Sequence, residues 1–245
     1  MQPSCYTPDM KQYFTALGAL VGLLALVAVA YLFYPAPAKA PLTVASSAKL
    51  EEHAKNYDIV AYYATTTPFA AANPAADTAA AARMKALIDS TVAEFKTATG
   101  PTWKSTLEVH YMVSSSTRTI SYIYTTYEYT GGAHNNTFFT TFTFDRTTGA
   151  PLSLSDLFAP GTDYLGALSQ IARATLPAQL GALANAQMLS AGTAPDAKNF
   201  SAFFIDNSTL DILFAPYAVA PYAAGPQTLQ IPLANLTNVL KPEYR

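Results

Sequence analysis

Charge is scarce in this sequence. Only 12% of its 245 residues are Asp, Glu, Lys or Arg, where about 25% is usual for a soluble domain. The net charge of −2 leaves no basic stripe for neutralising phosphates, which argues against a nucleic-acid partner. The single cysteine, Cys5, allows no disulfide within the chain. The three histidines, His53, His110 and His134, have no paired spacing. A metal would need further His, Cys or carboxylate ligands converging on one of them, so no metal is assigned. Neither G-x-G-x-x-G nor a Walker pattern occurs, and no cofactor is assigned. The G-x-S-x-G elbow is also missing, which leaves a Ser-His-Asp triad without support.

What the chain has instead is apolar surface, 51% of its residues. Much of it is concentrated near the start. No charged residue lies between Lys11 and Lys39, and residues 14–34 are an almost unbroken apolar run. At ~1.5 Å per residue such a run makes a helix of about 31 Å, the thickness of a bilayer core. Tyr13, Tyr31 and Tyr34 fall where interfacial aromatics sit. A cleaved leader is the competing reading, since Ala36-Pro37-Ala38 and Ala38-Lys39-Ala40 resemble cut sites. The run is longer than the usual apolar segment of a leader, about 7–15 residues. We therefore expect a short cytoplasmic tail (1–13), a transmembrane helix (14–34) with its N-terminus inside, and a linker (35–56). An extracytoplasmic domain (57–245) follows, with a first half at 57–130 and a second at 131–245. The expected location is the cell membrane, in a single pass.

Between Leu107 and Phe158 the pattern changes to period two. Leu107, Val109, Tyr111 and Val113 alternate with Glu108, His110 and Met112, and Phe138, Phe142 and Phe144 share a face. Alternation of this kind is the mark of half-buried antiparallel strands. Residues 119–129 carry Ile120, Tyr122 and Tyr124 on one face and Ile123, Tyr127 and Tyr129 on the other, which places that strand centrally. Gly131-Gly132 and Asp145 to Gly149 read as turns.

Elsewhere, Tyr57–Ala64 reads as a strand. Residues from about 77 to 97 read as an Ala-rich helix with Met84, Leu87, Ile88, Val92 and Phe95 on one stripe, stopped by Gly100-Pro101. A second helix starts near Thr162 or Asp163, with a kink or a split expected near its middle, at Leu176-Pro177. Residues 200–205 and 209–214 form a hairpin, 227–231 a last strand, and 233–240 a terminal helix. The expected class is α+β: a mostly antiparallel sheet with two main helices, preceded by one transmembrane helix.

Several ordered motifs carry a resemblance. They are Tyr129-Thr130-Gly131-Gly132-Ala133-His134, Phe144-Asp145, Thr148-Gly149, Leu152 to Phe158, and Phe214 to Gly225. As a set they resemble the extracytoplasmic domain of RsiV-type anti-sigma factors, which act as lysozyme receptors. The same domain occurs as the non-catalytic part of PdaC-type peptidoglycan deacetylases. The resemblance covers roughly residues 57–240. It implies a single-pass bacterial protein whose outer domain binds a lysozyme-like protein or cell-wall glycan. About a dozen residues precede the apolar run and no deacetylase domain follows Leu240, so neither sigma release nor sugar deacetylation is expected of this chain.

The residues expected to bind are Tyr217 and Tyr222, in a loop rich in Pro and Tyr, with His134 and Tyr129 at the diglycine turn. Tyrosine joins a large apolar face to a polar tip at low entropic cost, which suits contact with sugar or protein. Packing of that loop against the sheet is the alternative use, and for His134 a hydrogen bond to nearby backbone. Two further readings stay open. One is an enzyme acting on wall glycan through Glu128 with Asp145 or Asp156. The other is an accessory subunit presenting a surface to a membrane partner. No catalytic residue is assigned.

Overall fold

The computed structural model describes residues 46–69 and 72–245. They form an α+β unit with two sheets and three α-helices. The apolar run at 14–34 lies outside the described residues, as do the tail before it and the first part of the expected linker. No helix among the described residues is long and apolar enough to cross a membrane.

The first sheet has six strands in sequential order: β1 (Ser47–His53), β2 (Tyr57–Ala64), β3 (Ser105–Ser115), β4 (Thr119–Tyr129), β5 (Asn136–Asp145) and β6 (Pro151–Leu152). All neighbours are antiparallel except β2 and β3. That parallel pair requires a crossover, and helix α1 (Pro74–Ala98) supplies it. Pro74 opens the helix, and the Asn73 side chain caps it by accepting from Ala76 N at 3.1 Å. The buried stripe is Ala80, Met84, Ile88, Val92 and Phe95. It packs on Ile59, Leu107, Val109, Ile120, Tyr122, Tyr124 and Phe144. The two buried tyrosines keep polar partners. Tyr124 Oη accepts from Ala64 N at 3.2 Å, and Tyr122 Oη donates to Thr66 O at 3.4 Å. Burial pushes both phenols well above their ordinary range.

Strand β1 occupies residues expected to be linker. Its charged sequence, Ser-Ala-Lys-Leu-Glu-Glu-His, hides a strand because β1 is an edge, and an edge tolerates charge. It is clasped at its start by Ser46, whose N–H donates to Thr66 Oγ1 while its carbonyl accepts from Thr65 N and Thr65 Oγ1.

The second sheet has three antiparallel strands, β7 (Phe203–Asp206), β8 (Thr209–Phe214) and β9 (Gln227–Pro232), with β8 in the middle. Helix α2 (Tyr164–Leu180) and the short α3 (Ala186–Gly192) complete this part. Leu168, Ala172 and Leu176 of α2 pack with Phe203, Ile205, Leu210, Ile212, Phe214, Leu229 and Ile231 into a second core. Helix α2 runs through Pro177 rather than splitting there. Pro177 lies in the last turn, and what it costs the helix is the bond its missing N–H would have made to the Arg173 carbonyl. Residues 233–240 form a single 3₁₀ turn, Leu233–Leu236, rather than a helix. Leu240 instead pairs with Phe158 as an isolated bridge, which needs extended backbone.

The two sheets meet through hydroxyls. Ser114, Ser121 and Thr143 stand on one rung of the first sheet, on the face away from α1. Ser114 Oγ donates to Ile205 O at 3.3 Å, Thr143 Oγ1 donates to Phe203 O at 3.4 Å, and Thr141 Oγ1 accepts from Phe203 N at 3.1 Å. The backbone of β7, an edge strand, is thus satisfied by side chains of the neighbouring sheet.

Candidate functional site

The β4–β5 turn brings His134 out at one end of the first sheet. Gly131 and Gly132 have φ of 105° and 110°, a region that favours glycine. Gly131 is required twice over, since a Cβ there would collide with the Trp103 indole. On the other side stands the loop between β8 and β9. Val219 and Ala220 bury it in the second core, and Gly192 of α3 lets the Ala218 carbonyl approach where any Cβ would collide. Tyr217 of this loop adopts φ 70°, a left-handed conformation uncommon for a residue with a bulky side chain, and it is 55% exposed.

Turn and loop close on each other. The His134 ring stacks on Tyr222 with centroids 3.6 Å apart and planes 16° apart, and Tyr217 lies 5.6 Å from Tyr222. Tyr222 Oη donates to Asn135 O at 3.0 Å. A carbonyl can only accept, so the 3.1 Å contact between His134 Nδ1 and Asn135 O places a proton on Nδ1. In the neutral ring Nε2 then accepts from Tyr217 Oη, at 3.3 Å. Tyr129 Oη donates to Gly132 O at 3.3 Å and stiffens the turn. Three of the four residues expected to bind, His134, Tyr217 and Tyr222, are therefore one cluster. Tyr129 supports it from within the turn. The cluster joins ring faces, hydroxyls and an imidazole, groups that can stack and hydrogen-bond.

The carboxylates of the hydrolytic reading do not converge. Asp145 pairs with Thr119 and Glu128 with Asn136, so the two lie at opposite ends of the same strand pair. Nine rungs separate them, about 30 Å at ~3.3 Å per residue. A glycosidase pair works at roughly 5–10 Å. Both aspartates are also otherwise engaged. Burial raises Asp145, but the Thr148 and Thr147 amides, the Thr148 hydroxyl and Arg118 outweigh it and hold the carboxyl low. Asp156 is held low by the Ser153 hydroxyl and amide, in the cap of a 3₁₀ turn. Glu128 is raised by burial and then by Glu94.

The remaining histidines lie on the open face of the first sheet. His53 bonds Asp58 at 2.8 Å, which raises its pKa, with Glu51 adding to the effect. His110 stacks on Tyr62 at 5.6 Å. No group of three His, Cys, Asp or Glu among the described residues has metal-ligand geometry.

The residue that sequence reasoning passed over is Trp103. It is the one tryptophan of the chain, is 51% exposed, and lies against Gly131 in the turn that carries His134. A lone tryptophan two residues after Gly-Pro was the available signal. It was masked because that stretch read only as a helix stop.

Known proteins resemble this chain over different extents. The peptidoglycan-N-acetylmuramic acid deacetylase PdaC of Bacillus subtilis is 35% identical over 144 residues, which cover 58% of this chain and 31% of that protein. The chain thus matches about a third of that relative's length. Two solved structures share the fold. A member of the DUF3298 family from Bacteroides fragilis superposes with a TM-score of 0.57 at 20% identity, covering 80% of this chain and 92% of its own. A DUF3298 family protein from Pseudomonas aeruginosa gives 0.55 at 17% identity, covering 82% and 96%. Helix α2, the second sheet and the Tyr217–Tyr222 loop fall within residues 155–234, the segment that matches the family described as protein of unknown function DUF3298.

Proposed function

We propose that this chain is a binding module of the bacterial cell envelope that grips cell-wall glycan through Tyr217, Tyr222 and His134, with Tyr129 bracing the turn. The observation that carries the reading is the closure of the β4–β5 turn on the β8–β9 loop. It gathers three rings, one of them held in a strained backbone conformation with much of its surface open to solvent. Strain of this kind is kept where function needs a side chain in a particular place. The similarity to a protein named for peptidoglycan points the same way. In this reading residues 14–34 anchor the module in the membrane and the domain faces outward. A lysozyme-like protein is the second ligand considered, on the resemblance of the Tyr129–His134 and Phe214–Gly225 motifs.

Retention of the full chain on purified sacculi tests the proposal. Tyr217→Gly should cut retention at least about fivefold, the effect of losing one aromatic anchor. It should leave the domain no less stable, because glycine takes the left-handed conformation without penalty. Wild-type chain that washes off sacculi and is retained instead on immobilised lysozyme favours the protein ligand. Retention on neither removes the reading.

A further inference from the structure

A second feature lies on the far side of the same turn. Residues 99–104, between α1 and β3, together with Lys55 and Asn56 line a groove of about 510 Å³. Trp103 is its aromatic wall. One part of the indole is seated against Gly131 while half of the side chain faces solvent. An exposed ring that is braced from behind loses little entropy when a ligand covers it, which is the condition for an anchor. Two cations, Lys55 and Lys104, line the same groove. Lys104 is paired with Asp58 at 2.6 Å, while Lys55 is exposed and has no ion pair among the described residues. Asn56 donates to Thr99 Oγ1 along the rim and retains a carbonyl acceptor. Gly131, against which the indole rests, and His134 are three residues apart, so their Cα atoms lie within about 11 Å on one turn.

We infer that Trp103, Lys55 and Asn56 form a subsite for a sugar ring carrying a carboxylate, adjoining the tyrosine cluster. The indole covers the apolar C–H face of the ring, Lys55 pairs with the carboxylate, and Asn56 accepts from a hydroxyl. The inference rests on the glycan reading above and adds the charge class of the sugar and a second contact point. A carboxylate of this kind occurs on a uronic acid or on the lactyl ether of an acidic amino sugar.

Because the chain has one tryptophan, its emission reports on this groove without a label. The full chain is titrated with N-acetylmuramic acid, with glucuronic acid and with neutral N-acetylglucosamine. Saturable emission changes are expected with one or both acidic sugars, at least fivefold weaker with the neutral one and weakened further by salt. The pattern over the two acids separates the lactyl from the uronic source. Lys55→Gln should abolish the preference for acidic over neutral sugar. Equal response to neutral and acidic sugars, no response to any, or Lys55→Gln behaving as wild type overturns the subsite. The sacculus assay keeps the two ideas apart. Trp103→Phe and Lys55→Gln chains retained as wild type sink the subsite alone, whereas a wild-type chain that is not retained sinks the glycan reading itself.

Discussion

Asp211 is the residue most at odds with its surroundings. It stands in the central strand of the second sheet, 2% exposed, and its Oδ1 has no hydrogen-bond partner among the described residues. Burial pushes its carboxyl up. Side-chain hydrogen bonds from Thr209 and Gln230 offset part of this, and the charge of Asp206 adds to it. A carboxyl whose folded pKa exceeds its unfolded value costs nothing while both states are protonated. The cost appears above about pH 4, as the unfolded chain ionises, and is complete once pH passes the raised folded value. Stability attributable to Asp211 therefore falls as pH rises through that window. Asp211→Asn should flatten the difference between urea midpoints at pH 4 and pH 7. If the variant loses as much between the two as the parent does, the dependence belongs to another group, with Glu128 the next in line. Tyr217 presents a similar tension, since a left-handed backbone at a tyrosine is a cost carried by the loop for the position of one ring.

At the scale of elements, the junction of β7 with the first sheet is where side chains replace a ladder. Thr141→Val keeps the shape and removes the acceptor of Phe203 N–H, so it should cost about 1–2 kcal/mol in chemical denaturation. An unchanged midpoint would mean that water takes over the bond. This junction also explains what the sequence did and did not disclose. Strands β3, β4 and β5 were legible because Leu107, Val109, Tyr122 and Tyr124 repeat at period two against one helix. The stripe of α1 was legible for the same reason at its own period. The division into two sheets was not, since Ser114, Ser121, Thr141 and Thr143 have no apolar signature and look like solvent-facing residues. The parallel pairing of β2 with β3 was implicit in the order strand, helix, strand, but no local pattern distinguishes it from an antiparallel neighbour. The cluster of Tyr217, Tyr222 and His134 was legible as residue types, while their meeting across 83 positions, from His134 to Tyr217, came only with the fold.

For the molecule as a whole, the site joins what the cores divide. His134 hangs from the sheet that packs on α1, and Tyr217 and Tyr222 from the loop seated in the second core. A ligand held by both should slow amide exchange in residues 130–136 and 215–225 together, and a hundredfold excess over its Kd should add about 2.7 kcal/mol to stability. Protection confined to one of the two segments would assign the ligand to that segment alone. The clasp at Ser46 gives the whole a mechanical direction. Any pull arriving from upstream meets the three short bonds joining Ser46 to Thr65 and Thr66 before it meets either core. Strand β1 lies behind them at the sheet margin, where it can peel one rung at a time. Under a pull from the N-terminal side this domain would let go first at the Ser46 corner, as a fuse does, while the stacked rings at His134 stay together.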